Sequence, residues 1–194
     1  MPDLFFTSDT HFGHERILTL SDRPWSTVEE MDEALIAGWN SVVKPGDMVF
    51  HLGDLSFHKP EQTAKIIGRL NGYKTWILGN HDRSKKKNSI ASLFGEVKDY
   101  KEIKVSDDVH VFKRIVMCHF PMLVWNKSHY GSWMLHGHSH GSLKHPVPLR
   151  LMDVGVDCHP EYRPFSLDEV RAYMAEREHV ILDHHKEGVP NEQI

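Results

Sequence analysis

A chain of 194 residues is long enough for one domain with a sizeable core and short for two. At 40% hydrophobic and 26% charged residues the composition is that of a globular protein, and a formal net charge of −4 gives no global basic surface for non-specific nucleic-acid binding. Two cysteines cannot make a disulfide framework or, on their own, a structural zinc site, whereas sixteen histidines are an excess whose meaning depends on where they fall.

No apolar run approaches the length of a membrane span. Asp9 and His11 lie where the apolar part of a cleaved signal peptide would be, so the expected location is the cytoplasm.

Leu4-Phe5-Phe6 reads as a first strand that runs out at Thr7-Ser8 and is followed by Asp9-Thr10-His11. In an extended segment residues i and i+2 point the same way, so Asp9 and His11 are expected to reach one point; an Asx-turn with an exposed histidine is the plainer alternative. Residues 12–17 are expected to turn into a short helix that brings His14 and Arg16 near the Asp9 end. Ser26-Thr27-Val28-Glu29 has capping-box spacing, and Val28, Met31, Leu35 and Trp39 recur at helical intervals, which predicts a helix over roughly 27–41. Met48-Val49-Phe50-His51-Leu52 reads as a buried strand ending at Gly53-Asp54. Pro60 opens a second helix that stops at Asn71-Gly72. Thr75-Trp76-Ile77-Leu78 is a third strand, ending at Gly79-Asn80-His81-Asp82.

Strand, helix, strand, helix, strand is a parallel βαβαβ unit, which needs cover on the second face of its sheet. A basic loop follows at residues 83–88; it is either a solvated loop or a phosphate-attracting rim. The second half is β-rich. Residues 96–105 and 110–118 are expected to pair through a turn at Ser106-Asp107-Asp108, and the second of these strands ends at His119. Trp133-Met134-Leu135 ends in Gly137-His138-Ser139-His140, and residues 149–156 form a further strand. Ser166-Leu167-Asp168-Glu169 is another capping box, opening a last helix to about residue 177. The domain is expected to span residues 1–178, with a charged tail over 179–194 in which Asp183-His184-His185 reads as solvated rather than metal-binding. Cys118 is expected to point away from His119 into the core, and Trp125, His129 and Tyr130 line the pocket or simply pack a loop.

Asp9, His11, Asp54, Asn80, His119, His138 and His140 therefore bring two carboxylates, an amide and four imidazoles to strand ends. In open α/β sheets the strand C-termini are where ligands are held. Oxygen donors mixed with imidazole suit first-row divalent ions, and seven ligands are too many for one tetrahedral site but suit two ions sharing a carboxylate. Two divalent ions outweigh two carboxylates and a hydroxide in charge, which favours an anionic substrate such as a phosphate ester. Such a pair can hold a nucleophilic hydroxide and clamp both sides of an in-line displacement at phosphorus.

Asp9-x-His11, Gly53-Asp54, Gly79-Asn80-His81-Asp82, His119 and Gly137-His138-x-His140, in this order, resemble the calcineurin-like metallophosphoesterases. The resemblance covers residues 4–156 and implies a two-sheet β-sandwich flanked by helices, an α/β fold of four layers (αββα). It implies that Asp9, His11 and His140 hold one metal, that Asp54 bridges, and that Asn80, His119 and His138 complete the second. It also implies that His81 is a catalytic histidine that donates a proton to the leaving alcohol, with Asp82 orienting it or capping the loop. Manganese is the first expectation for the two ions, with iron, zinc or nickel as alternatives.

Where protein Ser/Thr phosphatases of this superfamily continue with Asp-Arg-Gly, this chain reads Leu55-Ser56-Phe57-His58-Lys59. The family's phosphate-binding arginine is absent there, which argues against protein substrates. His58 stands in its place, and with His14 and Arg16 forms the expected set of substrate contacts. The start, Thr7-Ser8-Asp9-Thr10-His11-Phe12-Gly13-His14, is similar to that of small bacterial and phage members. The expected function is hydrolysis of small phosphodiesters or monoesters such as nucleotides. A nuclease or cyclic-nucleotide phosphodiesterase is the alternative within enzymes, and a protein-binding scaffold on the same fold is the alternative outside them. Nucleic acid is a less favoured partner, a membrane is not expected, and the oligomeric state is left open, a dimer included.

Overall fold

The structure is a computed structural model that describes residues 2–82, 89–106, 112–144 and 148–183. The basic loop, the turn at Asp107 and Asp108, and His184-His185 of the tail lie outside these residues.

Two sheets stack face to face. The first contains β1 (Leu4–Thr7), β2 (Met48–His51), β3 (Tyr73–Ile77), β4 (Glu96–Lys98) and β9 (Phe165–Ser166), in the order β4-β3-β2-β1-β9. All its pairs are parallel except the antiparallel β1–β9 edge. The second contains β5 (Tyr100–Ser106), β6 (Phe112–Cys118), β7 (Trp133–His136) and β8 (Leu151–Asp153), in sequence order. β5 and β6 are antiparallel, and β6, β7 and β8 are parallel.

The pleat sorts the apolar side chains between layers, because neighbours along a strand point to opposite faces. Phe5, Val49 and Trp76 pack outward against Met31, Leu35 and Trp39 of α2 (Val28–Val42) and Ile66 and Ile67 of α3 (Pro60–Arg69). Phe6, Phe50 and Ile77 point the other way, into the space between the sheets, where Ile115, Met117 and Leu135 meet them. Val170 and Met174 of α4 (Leu167–Ala175) close that layer. On the outer face of the second sheet Val116, Met134 and Leu151 cluster with Trp125 and Leu149. The cover that the parallel sheet required is thus the second sheet.

Several boundaries differ from the sequence expectation for local reasons. The first short helix, α1, is Ile17–Leu20 rather than residues 12–17, because Phe12 is held in an isolated parallel bridge to Ser56. The α2 capping box is Thr27 with Glu30, one residue later than the spacing suggested; Ser26 donates its N–H to the same glutamate. Residues 96–105 divide between the two sheets at Asp99, so what reads as one β-rich stretch is the crossover of the sandwich. β8 is shorter than residues 149–156, and the two-residue β9 carries no sequence signal at that length. Among the described residues no helix is long and apolar enough to cross a membrane.

Candidate metal centre

The C-terminal ends of β1, β2, β3, β6 and β7 all open onto one side of the sandwich. Backbone bonds lock the first two tips together: Asp9 N donates to Gly53 O at 2.9 Å, and His11 N to Asp54 O at 3.1 Å. Asp9 and His11 converge as expected, but not through an extended backbone. Asp9 has φ 56° and His11 φ 50°, and Asp54, His138 and His140 are also left-handed, at 54°, 68° and 46°. Asp and His adopt this region more readily than most residues, and here it turns each side chain back over the strand end.

The donor atoms fall into two groups around Asp54. His11 Nε2 lies 3.8 Å from Asp9 Oδ1 and 3.7 Å from Asp54 Oδ2, and His140 Nε2 lies 3.9 Å from Asp9 Oδ1. On the other side His119 Nε2 is 3.6 Å from Asp54 Oδ1 and 2.9 Å from Asn80 Oδ1, which is also 3.0 Å from His138 Nδ1. The ligand atoms of Asp9, His11 and His140 lie within 4.8 Å of one another, as do those of Asp9, Asp54 and His119. All seven expected ligands are therefore brought together, with one oxygen of Asp54 turned to each group.

The donors fit cations. Asp9 Oδ1 and both ring nitrogens of His11 are buried without a hydrogen-bond partner, and such groups normally cost about 1–3 kcal/mol each. His119 Nδ1 donates to Leu52 O at 2.8 Å, so in the neutral ring Nε2 is an acceptor facing the Asn80 oxygen. Two acceptors brought face to face are satisfied by a positive ion. Burial also pushes the Asp9 carboxyl up from 3.8 to about 8, only partly countered by His140. Burial, with His140 and Arg23 adding to it, holds His11 far below the usual histidine range, and His119 is likewise lowered by burial. Neutral imidazoles are the form that binds metal.

Two glycines permit the approach. A Cβ on Gly79 would sit 2.1 Å from Asp54 Oδ1, and one on Gly137 would sit 2.0 Å from Ser8 Oγ and 2.4 Å from Asp9 Oδ2.

The centre lies at the base of an open cleft of about 530 Å³ that is also lined by His14, His81 and Ser139. The His81 side chain is half exposed, with Nε2 3.9 Å from Asp54 Oδ2, while its backbone N–H donates to Asp54 Oδ1 at 3.0 Å. His14 stacks on Phe57 with ring centroids 3.9 Å apart. A second cleft of similar volume, about 540 Å³, opens between β8 and α4 and contains none of the expected site residues.

Two of the expected substrate contacts are elsewhere. Arg16 is exposed at the start of α1 and does not line the cleft. His58 lies behind Gly13, with Nε2 2.6 Å from Asp32 Oδ2, and so does not stand in for a phosphate-binding arginine. Of the two roles expected for Asp82, orienting His81 or capping the loop, its contacts correspond to the second; it is buried. Its carboxylate accepts the N–H groups of Asp54, Leu55 and Gly79 and the Trp76 indole N–H, which makes it the anchor of the Gly53-Asp54 loop. Trp125 packs in the core with its indole N–H on Ser132, and the His129 and Tyr130 rings meet at a tilt of 51° and do not line the cleft. Cys118 does turn away from His119, toward the outer face of the second sheet.

Residues that support the site without a sequence signal include His51, buried and lowered to about 3 by burial, whose Nε2 lies 2.9 Å from Thr10 Oγ1. Arg23 and Asp157 are a further pair, joined by a fork of 2.8 and 2.9 Å contacts. Neither Arg23 nor Asp157 stands at a strand tip, so nothing in the strand-end pattern points to that pair, and His51, the last residue of β2, reads in the sequence as part of the buried strand.

The sequence matches the family model for calcineurin-like phosphoesterase over residues 3–187. It is 33% identical over 175 residues to an uncharacterized protein of Methanocaldococcus jannaschii, covering 87% of this chain and 89% of that one. It is 30% identical over 183 residues to the gene 66 protein of Mycobacterium phage L5, covering 81% and 88%. Among solved structures, that of a protein of unknown function from Aquifex aeolicus is similar with a TM-score of 0.68 at 24% identity, over 89% of this chain and 99% of that one, which shows a common fold.

Proposed function

This chain belongs to the calcineurin-like phosphoesterase family, and on that premise we propose that it is a two-metal hydrolase of small, nucleotide-like phosphodiesters or phosphomonoesters. The observation that carries the reading is the Asp54 carboxylate, which turns Oδ2 toward His11 and Oδ1 toward His119. A carboxylate with one oxygen for each of two donor groups is the geometry of a bridge. Asp9, His11 and His140 would hold one ion beside it, and Asn80, His119 and His138 the other.

Divalent ions bound there supply positive charge to the phosphoryl oxygens and an activated water for in-line displacement. The chain supplies the rest. Asp9 and Asp54 would hold the ions from a base closed to solvent, while Asn80, His81 and His138 stand exposed at the mouth, where an anionic ester would enter. His81 is placed to reach the leaving oxygen, because its half-exposed ring lies in the cleft and is not hydrogen-bonded to Asp54, its Nε2 standing 3.9 Å from Oδ2 while the backbone N–H holds Oδ1. In this role it donates a proton to the leaving alcohol. Manganese is the first candidate for both ions.

The test is hydrolysis of bis-p-nitrophenyl phosphate and p-nitrophenyl phosphate by metal-stripped protein with manganese, zinc, iron(II) or nickel returned singly. Metal-restored turnover is expected, and the ratio of the two rates ranks diester against monoester chemistry. His81→Ala should lower kcat about 100-fold or more on an alkyl ester, which needs the proton, and much less on a p-nitrophenyl ester, which does not. No turnover with any metal, or equal effects of His81→Ala on both leaving groups, would contradict the reading.

A further inference from the structure

Arg23 is a charged side chain with no access to solvent, 13 residues beyond Thr10. Burying a guanidinium is costly unless every donor is used, and here they are. Nε and Nη2 fork onto Asp157 Oδ1 and Oδ2 at 2.8 and 2.9 Å. Nη2 also donates to the Asp9 carbonyl at 2.7 Å, and Nη1 to the Thr10 carbonyl at 2.9 Å, with Met31 Sδ at 3.3 Å. Asp157 in turn stands 2.6 Å from His140 Nδ1 through Oδ2, and Ser21 Oγ is 3.3 Å from the same nitrogen. One guanidinium therefore links the backbone under Asp9 to the ring of His140, which come from the ends of β1 and β7.

We infer that Arg23 and Asp157 are positioning residues for the Asp9–His11–His140 ion position, with Asp157 fixing the tautomer and orientation of His140 and Arg23 setting Asp157 in register with Asp9. The inference rests on the metal-centre reading and names residues outside its ligand set. With Nδ1–H donated to Asp157, the lone pair of His140 is left on Nε2, the nitrogen that faces Asp9 Oδ1. A carboxylate behind a metal-binding histidine raises its basicity and fixes its plane, and losing such a partner costs about 10–100-fold in metal affinity. The fork is specific to arginine: two parallel N–H groups meet two carboxylate oxygens while the remaining donors reach two carbonyls, an arrangement that the point charge of lysine cannot reproduce.

Asp157→Asn separates positioning from mere structural support. The amide keeps one acceptor for Arg23 but presents either an N–H or a neutral oxygen to His140, so the ring loses its charged partner. The readouts are calorimetric titration of metal-stripped protein with manganese alone, and thermal unfolding of the metal-free protein. Wild type is expected to bind two manganese ions. Asp157→Asn should still fold and reach two ions at high manganese, with one dissociation constant raised about 10–100-fold and the other within about twofold of wild type. Arg23→Lys should weaken the same position.

Unchanged manganese constants in a folded Asp157→Asn variant would overturn the inference, and would do so even if the unfolding temperature fell, since the pair would then be structural only. If wild type itself bound no manganese, or one ion, the two-metal reading would fail first and carry this inference with it. A change confined to Asp157→Asn leaves that reading intact.

Discussion

At the scale of single residues, the site is a set of side chains whose ionisation is set by burial. Asp9 is the clearest case. In the metal-free fold its carboxyl is raised from 3.8 to about 8 by loss of solvent, with the charge of His140 opposing the shift. An unfolded chain gives up this proton near pH 4, whereas the fold keeps it to about pH 8. The unfolded state therefore binds fewer protons across that window, and the stability of the metal-free fold falls as pH rises, by up to about 1.4 kcal/mol per pH unit from this group alone. Asp9→Asn mimics the protonated form at every pH. Denaturant unfolding of metal-free protein should show the two similar near pH 3.5, below the unfolded pKa, with the variant increasingly the more stable as the pH rises toward 8. An equal gap at both pH values would contradict the assignment. A bound cation reverses the sign, because it needs the carboxylate that the empty fold disfavours. His140 adds to the coupling in the metal-free protein: burial opposes its charge, but the Asp157 hydrogen bond and the nearby carboxylates together raise it.

At the scale of elements, the strand tips carry both the chemistry and the strain. Five of the eight non-glycine residues with positive φ among the described residues are expected metal ligands. Each such residue costs roughly 1–2 kcal/mol against an ordinary backbone conformation. Neighbouring tips hold them there through the Asp9–Gly53 and His11–Asp54 backbone bonds and the Asp82 anchor. His140, at φ 46°, offers a direct test. His140→Gly and His140→Ala remove the same ring and the same contact to Asp157, but only glycine relaxes at this φ. The glycine variant is expected to unfold later than the alanine variant in the metal-free state, by about 1 kcal/mol after the greater freedom of unfolded glycine is deducted. The reverse order would mean that the left-handed backbone is not strained.

The strand tips also mark how far the sequence is legible. Strand identity and tip residues are readable, because an apolar run that stops at Gly-Asp or Gly-Asn-His-Asp delivers polar side chains that suit a site and not a core. The means of convergence is not readable, since nothing in Asp9-Thr10-His11 distinguishes an extended pair from two left-handed residues. Asp82 and His58 show the same limit. Each sits beside a site motif in the sequence, yet one faces backbone N–H groups beneath the centre and the other faces Asp32. Arg23 and Asp157 are invisible from the sequence because they are 134 residues apart and Asp157 is 17 residues beyond His140.

At the scale of the whole molecule, the two sheets are required by the site as well as by the core. The first sheet delivers Asp9, Asp54, Asn80 and His81, and the second delivers His119, His138 and His140, so the centre lies at the seam between them. The interlayer cluster of Phe6, Phe50, Ile77, Ile115, Met117 and Leu135 fixes the spacing across which Asp54 faces both groups. The split at Asp99, which sends β4 to one sheet and β5 to the other, is hidden in the sequence because both strands read alike and only their partners differ. The central claim is that both halves work together through two ions. One titration tests it: metal-stripped protein receives manganese in measured steps while bound metal and hydrolysis of bis-p-nitrophenyl phosphate are followed in the same samples. The account predicts two ions bound per chain, with turnover rising as the second position fills. Full turnover with a single ion bound, or two ions bound with turnover unchanged in Asp54→Asn, would contradict it.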